Sequence, residues 1–297
     1  EFCIDKLFPP VGQGSRLGLL ELRAFEMAPH YRMGLAEMLL VRALVSTFWK
    51  QPFTADLIRW GPALHDRFML PHFVQDDFTA VLGHLRRAGF AFEDAWFAPH
   101  RAFRFPRIGL LRVGGMELEL RQALEPWNVL AEEATSGGTG RSVDSSLERM
   151  QVRLSGFDPG QRYVVSCNGR RVPLHPTAEP GESVAGIRYR ARKLSAALHP
   201  TIPVHTPLVF DLIDTWGTRS GRCTYHAAPP DGSVYPGRPA DAAEAQARRL
   251  QRFVIDPHPP ASLPLPPPEQ NPLYPMTLDL RWPAHDARVA PQATLKP

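Results

Sequence analysis

A chain of 297 residues with 43% apolar content is long enough for one large or two ordinary domains around a real core. The formal net charge of +4 (pI near 9.2) comes far more from Arg than Lys; it suits acidic small molecules or phosphates and is too weak and scattered for nucleic acid. No apolar run approaches the ~20 residues of a membrane span, and the opening EFCIDKLF lacks a signal-peptide pattern. Three distant cysteines (Cys3, Cys167, Cys223) argue against a disulfide framework and make a reducing cytoplasm the expected setting. The chain starts without Met, in what reads as mid-element, as a piece of a longer protein does.

In chain order, residues 17–25 (LGLLELRAF) read as a strand that turns Leu20, Leu22 and Ala24 into a core and Leu19, Glu21, Arg23 and Phe25 the other way. Residues 31–49 place Met38, Leu39, Val41, Leu44, Val45 and Phe48 at helical spacings, without proline, and Gln51-Pro52 ends the helix. A short helix is predicted over 63–70, stopped before Pro71. Another covers 73–88, with Val74, Phe78, Val81, Leu82 and Leu85 on its stripe and Gly89 as its stop. Residues 90–107 are aromatic and irregular, with Phe103 and Phe105 alternating as a short strand. Residues 116–121 (MELELR) repeat the acid-base strand: Met116, Leu118 and Leu120 on one face, Glu117, Glu119 and Arg121 on the other. Residues 125–133 read as a short helix or turn.

The character changes at 134–141 (ATSGGTGR), and β patterns follow as far as Tyr225. Met150, Val152 and Leu154 alternate with Arg149, Gln151 and Arg153; Ile187, Tyr189 and Ala191 alternate with Arg188, Arg190 and Arg192. Residues 163–174 form a hairpin turning at Asn168-Gly169, both of which tolerate positive φ. Residues 208–213 are a further apolar strand, and 239–253 an amphipathic helix. The expected fold class is α+β: helices packed on a mostly antiparallel sheet (1–140), then a β-rich module with a closing helix (141–255). A Pro-rich, largely disordered tail (256–297) follows, with a short strand near 276–282.

Glu21 with Arg23, and Glu119 with Arg121, have two readings. One is a cross-strand ion-pair ladder worth ~0.2–1 kcal/mol per pair. The other is a site in which Glu21 and Glu119 are oxygen ligands for Mg²⁺ and Arg23 and Arg121 grip phosphate or carboxylate oxygens. Glu26 and Glu125, just past each strand, are candidates for a further ligand. The SGGTG run (Gly137, Gly138, Thr139) either cradles a phosphate or is a linker. His65, Asp66, Arg67 and His72 either line a cleft or serve capping and surface pairing. Arg188, Arg190 and Arg192 form a solvated face or an acidic-ligand rail. The spacing of His199, His205, Cys223 and His226 matches no closed zinc site. Neither Cys167 nor Cys223 has the helix-N-terminus setting of a thiol nucleophile.

The runs RLGLLELRAFEMAPHYRM, LHDRFMLPHF, MELELRQALEPWNVL, CNGRRVPL and LHPTIPVHTPLVFDLIDTW resemble the amidoligase region of large bacterial proteins that carry a transglutaminase-like domain upstream. The resemblance covers most of residues 1–255. It implies the glutamine synthetase-like carboxylate–amine ligases, in which ATP phosphorylates a carboxylate and an amine displaces the phosphate, here on peptide-like or small substrates. By that resemblance Glu21, Glu119 and Glu26 hold Mg²⁺, and Arg23 and Arg121 act on the substrate. Arg23, Arg121, Gly137, Gly138 and Thr139 then meet ATP, in a cytoplasmic protein with no nucleic-acid or membrane partner. The family's GTGGGNH stretch and an earlier acidic strand are absent from this chain, so the fragment alone is expected to be inactive. The alternative is a non-catalytic β-rich module that docks substrate for the upstream domain.

Overall fold

The computed structural model describes residues 2, 3, 7, 18–127, 129–135, 138–156, 162–193, 202–217, 220–260, 263–269 and 271–284. It is a mixed α+β structure. In chain order the elements are β1 (Phe2–Cys3), β2 (Glu21–Leu22), α1 (Tyr31–Lys50), α2 (Ala63–Arg67), α3 (Pro71–Arg87), a 3₁₀ turn (Asp94–Phe97) and α4 (Ala98–Arg104). There follow β3 (Arg107–Val113), β4 (Met116–Gln122), β5 (Val129–Thr135), β6 (Gly138–Val143), β7 (Leu147–Ser155), β8 (Tyr163–Cys167), β9 (Arg170–Arg171), β10 (His175–Pro176) and β11 (Glu182–Arg190). The chain closes with β12 (Leu208–Asp214), β13 (Ser220–Tyr225), α5 (Ala242–Leu250), β14 (Phe253–Ile255) and β15 (Thr277–Asp279). It divides into two compact units, residues 1–55 with 82–100 and residues 56–81 with 101–297, where composition suggests breaks at 140 and 255. No helix among the described residues is long and apolar enough to cross a membrane.

The first unit is helical. α1 buries Met33, Ala36, Ala43 and Thr47, a three-and-four-residue stripe of mostly small side chains. Met38, Leu39, Val45 and Phe48 stay exposed. The strand expected over 17–25 shrinks to β2, paired with β1 through Cys3↔Glu21 and Phe2↔Leu22. Positive φ at Gly18 breaks the extension before it, and a turn at Arg23 and Ala24 breaks it after. Leu20, expected in a core, is 48% exposed, Ala24 is also exposed, and Leu17 lies outside the described residues. The strand expected around Phe103 and Phe105 is helix α4 instead.

The second unit is a sandwich of two sheets. One runs β10-β11-β7-β4-β3, with β15 added parallel to β11; the other runs β14-β13-β12-β8-β9. Period-two alternation fills the space between them as the sequence predicts. Met116, Leu118 and Leu120 of β4, Met150, Val152 and Leu154 of β7, and Ile187 and Tyr189 of β11 meet Leu208, Phe210 and Leu212 of β12 and Cys223 and Tyr225 of β13. The β8–β9 hairpin turns at Asn168 (φ 48°) and Gly169 (φ 77°), the backbone a two-residue I′ turn requires. Close approach explains Gly109: a Cβ there would sit 2.3 Å from the Phe253 ring.

Residues 125–133, read as helix or turn, are mostly strand instead: 129–133 lie in β5, which pairs with β6 in a separate two-stranded sheet. Gly138 and Thr139, read as part of a loop, lie in β6 opposite Thr135 and Ala134, while Gly137 lies outside the described residues. The amphipathic helix is α5, opened by Asp241 accepting from Glu244 N and Glu244 accepting from Ala240 N. The strand expected near 276–282 is β15, whose Leu278 joins the core; residues 285–297 lie outside the described ones.

Candidate functional site

Alternation that sends apolar side chains into the sandwich sends charged ones to the other face of the six-stranded sheet. Register aligns them in rows: Glu119 beside Arg153, Arg121 beside Gln151 and Gly186, and Arg149 beside Arg188. Two arginines directly opposite on neighbouring strands repel. Here Glu125 resolves the conflict: Arg149 Nε donates to its Oε2 at 3.1 Å and Arg188 Nε to its Oε1 at 2.7 Å. The side chains of Arg149 and Glu125 are only 2% and 3% exposed. Burial lowers the Arg149 pKa against the opposing pull of Glu125.

The α2–α3 corner and β15 close over this end. Gly186 lacks a side chain where Leu70 and Thr277 press in; a Cβ would meet them at 3.0 and 3.1 Å. Asp66, buried, accepts from Met276 N at 3.0 Å and Thr277 Oγ1 at 2.7 Å, and Arg149 reaches the His65 carbonyl at 2.8 Å. Asp279 pairs with Arg281 at 2.6 Å and lies 3.7 Å from Arg188. Burial alone would raise the Asp279 pKa, but the bond and charge of Arg281 hold it below the usual carboxylate value. Three cations (Arg149, Arg188, Arg281) thus meet three anions (Glu125, Asp66, Asp279), which makes this end a fastening. Glu125, weighed as a metal ligand, is taken up by guanidiniums. Arg188 and Arg190, weighed as a solvated face or ligand rail, are largely enclosed: Arg190 is buried and donates to the Ile202 carbonyl at 2.9 Å.

The other end of the face is more open. Arg121 Nε and Nη2 donate to the two oxygens of Glu119 at 3.1 and 3.2 Å, and Arg153 stands 3.4 Å from the same carboxylate. Arg153 also donates to Glu182 at 3.0 Å, and its Nε is buried with no hydrogen-bond partner. Beyond Glu182 comes His72, at the start of α3, with Nδ1 3.7 Å from Glu182 and Nε2 3.2 Å from Asp76. Gln151 fixes that helix start by accepting from His72 N at 2.9 Å. Side-chain exposure is 6% for Glu119, 27% for Arg121 and 35% for Arg153, so the guanidiniums reach solvent while the carboxylate between them does not. Such a group can bind an anion through arginine forks and pass protons along His72 and its two acids.

Of the site expected from sequence, Glu119 and Arg121 come together here with Arg153. Glu21 and Arg23 form their own exposed pair at 3.1 Å in the other unit, with exposed Glu26 in that unit as well. Among the described residues no cluster of three His, Cys, Asp or Glu could hold a metal ion, and His199 lies outside them. Both oxygens of Glu119 face guanidiniums, so as arranged it fits an anion clamp better than a metal ligand; the exposed arginines fit nucleotide phosphate. Alternation already placed Arg153 and Gln151 on this face. Glu182, which closes the row toward His72, had no signal in the sequence because its partners, Arg153 of β7 and His72 of α3, are brought to it by strand pairing and helix packing.

A family model described as "Putative amidoligase enzyme (DUF2126)" matches residues 1–281. The chain belongs to that amidoligase family. The match spans both compact units, so the helical unit and the sandwich belong to the same family region. No curated protein and no solved structure matches it.

Proposed function

We propose that this amidoligase-family chain serves ATP- and Mg²⁺-dependent joining of a carboxylate to an amine, on a peptide-like substrate and alongside a transglutaminase-like domain. The observation that carries the reading is the Arg121–Glu119–Arg153 clamp, with an unbonded buried Nε on Arg153 and solvent-reaching guanidiniums. ATP, when bound, supplies the activation of the carboxylate by phosphorylation. Arg121 and Arg153 hold its phosphate oxygens and oppose the negative charge that grows as the amine attacks. Glu119 keeps the two guanidiniums apart and aimed. His72, flanked by Asp76 and Glu182, takes the proton the amine gives up. Mg²⁺ would be held by the nucleotide's own phosphates with one or two carboxylates, and would supply neutralisation of phosphate charge.

The test is ATP turnover by the full-length protein. Arg153→Ala and Glu119→Ala should each lower kcat about 100-fold, the loss typical of removing one charge-stabilising group. Melting temperatures should move by only a few degrees. Undiminished turnover in the Arg153 variant sinks the reading. It would leave a binding module that presents substrate, which one observation favours: Glu119, Glu125 and Glu182 are all engaged by arginines.

A further inference from the structure

Helix α1 is apolar on both sides. Its inner side carries Met33, Ala36, Ala43 and Thr47, and it packs within the helical unit, where Glu37 pairs with His100 at 3.2 Å and Phe48 stacks on His84. Tyr31, Leu35, Met38, Arg42, Val45 and Trp49 follow one another at steps of four, three, four, three and four, which on a helix is a single stripe on the side away from those buried residues. Tyr31 and Trp49 are 72% and 87% exposed, Leu35, Met38 and Val45 are 50–55% exposed, and Arg42 is exposed with them. A helix that is apolar all round is normally covered, and α1 is not one that crosses a membrane.

The stripe is complementary to a copy of itself. Its steps read the same from either end, so a second α1 running the other way meets it in one register: Tyr31 on the partner's Trp49, Leu35 on the partner's Val45, and Met38 on the partner's Arg42. Large rings then share the outer layers and aliphatic side chains the next. The Arg42 stem lies along Met38 with its guanidinium in water, and one polar residue in such a seam fixes the register at some cost in stability. A two-fold contact uses the same patch on both copies, as this pairing does. The area suffices as well. At ~200 Å² for a whole aromatic side chain and ~100 Å² for an aliphatic one, the exposed fractions offer roughly 1,000 Å² of apolar surface over two copies. At the ~65% apolar share of homodimer interfaces, that corresponds to roughly 1,500 Å² in all, the standard size of a specific complex.

We infer that two copies of the protein pair antiparallel through the outer face of α1. The pairing does not rest on the ligase reading. Sedimentation equilibrium of the full-length protein at micromolar concentration should give twice the chain mass. Leu35→Glu, which sets a carboxylate against the partner's Val45, should weaken association about 100-fold, as burying an unpaired charge does. Met38→Glu should keep the dimer, because each new carboxylate faces the partner's Arg42; Met38→Glu combined with Arg42→Glu should lose it again. All three variants should keep the parent's helix content by circular dichroism, since these side chains reach solvent in the single chain. A parent that stays monomeric overturns the inference and gives the face to a different partner. A dimer indifferent to Leu35→Glu overturns it too. So does Met38→Glu dissociating as fully as the double variant, a comparison that holds even if Leu35→Glu loses helix content.

Discussion

At the residue scale, burial separates charges that look alike in the sequence. Glu125 neutralises two arginines that face each other across β7 and β11. Glu125→Ala leaves both without that partner and should cost about 3–5 kcal/mol in a denaturant melt. Glu132, exposed and paired with Arg141, should cost less than about 1 kcal/mol by the same substitution. Equal losses would refute the distinction. Asp279 adds a pH dependence. Its folded pKa lies below the ordinary value, so its stabilisation is complete above the unfolded pKa of about 3.9 and is lost as pH falls through the depressed folded one. Asp279→Asn should therefore flatten the acid limb of the stability curve, measured by urea melts at successive pH values. An unchanged slope would mean that Arg281 does not perturb the carboxyl.

At the element scale, the strands of the sandwich were legible where one face is apolar and the other charged, as in β4, β7 and β11. Reading failed where the pattern was right and the context decided. The LGLLELRAF run has strand periodicity, but Gly18 and the turn at Arg23 leave only two paired residues. Phe103 and Phe105 alternate like a strand yet sit in and just after helix α4. β15 shows the converse. Its three residues carry little periodic signal, yet Asp66 and the edge of β11 fix them. Close approach gives the sharpest element-level test. At Gly109 of β3 the Phe253 ring occupies the space of a Cβ, so Gly109→Ala should destabilise by about 1–3 kcal/mol, the usual cost of overpacking. Pairing it with Phe253→Leu should recover part of the loss if that ring is the obstacle.

At the scale of the whole molecule, the candidate site was half legible. One strand's alternation gave Glu119, Arg121 and their face, but sequence distance hid that Glu182 and His72 complete the row. Of the resemblance, the amidoligase family is borne out by the match over residues 1–281, while the chemistry rests on side chains that only tertiary packing assembles. Whether the sandwich behaves as one closed core can be read from two cysteines. Cys167 and Cys223 flank Phe210 on neighbouring strands, and both are fully buried. Burial pushes the Cys223 thiol up to about 12 and the Cys167 thiol also well up, so neither forms thiolate near neutrality in the folded state. In a Cys3→Ser background, a thiol reagent at pH 8 should label both only when the sandwich opens, at matching rates that climb together with denaturant. Because the two lie on different strands of one sheet, unequal rates would show the sheet opening in parts. Rapid labelling of either in buffer would show that the core is not closed.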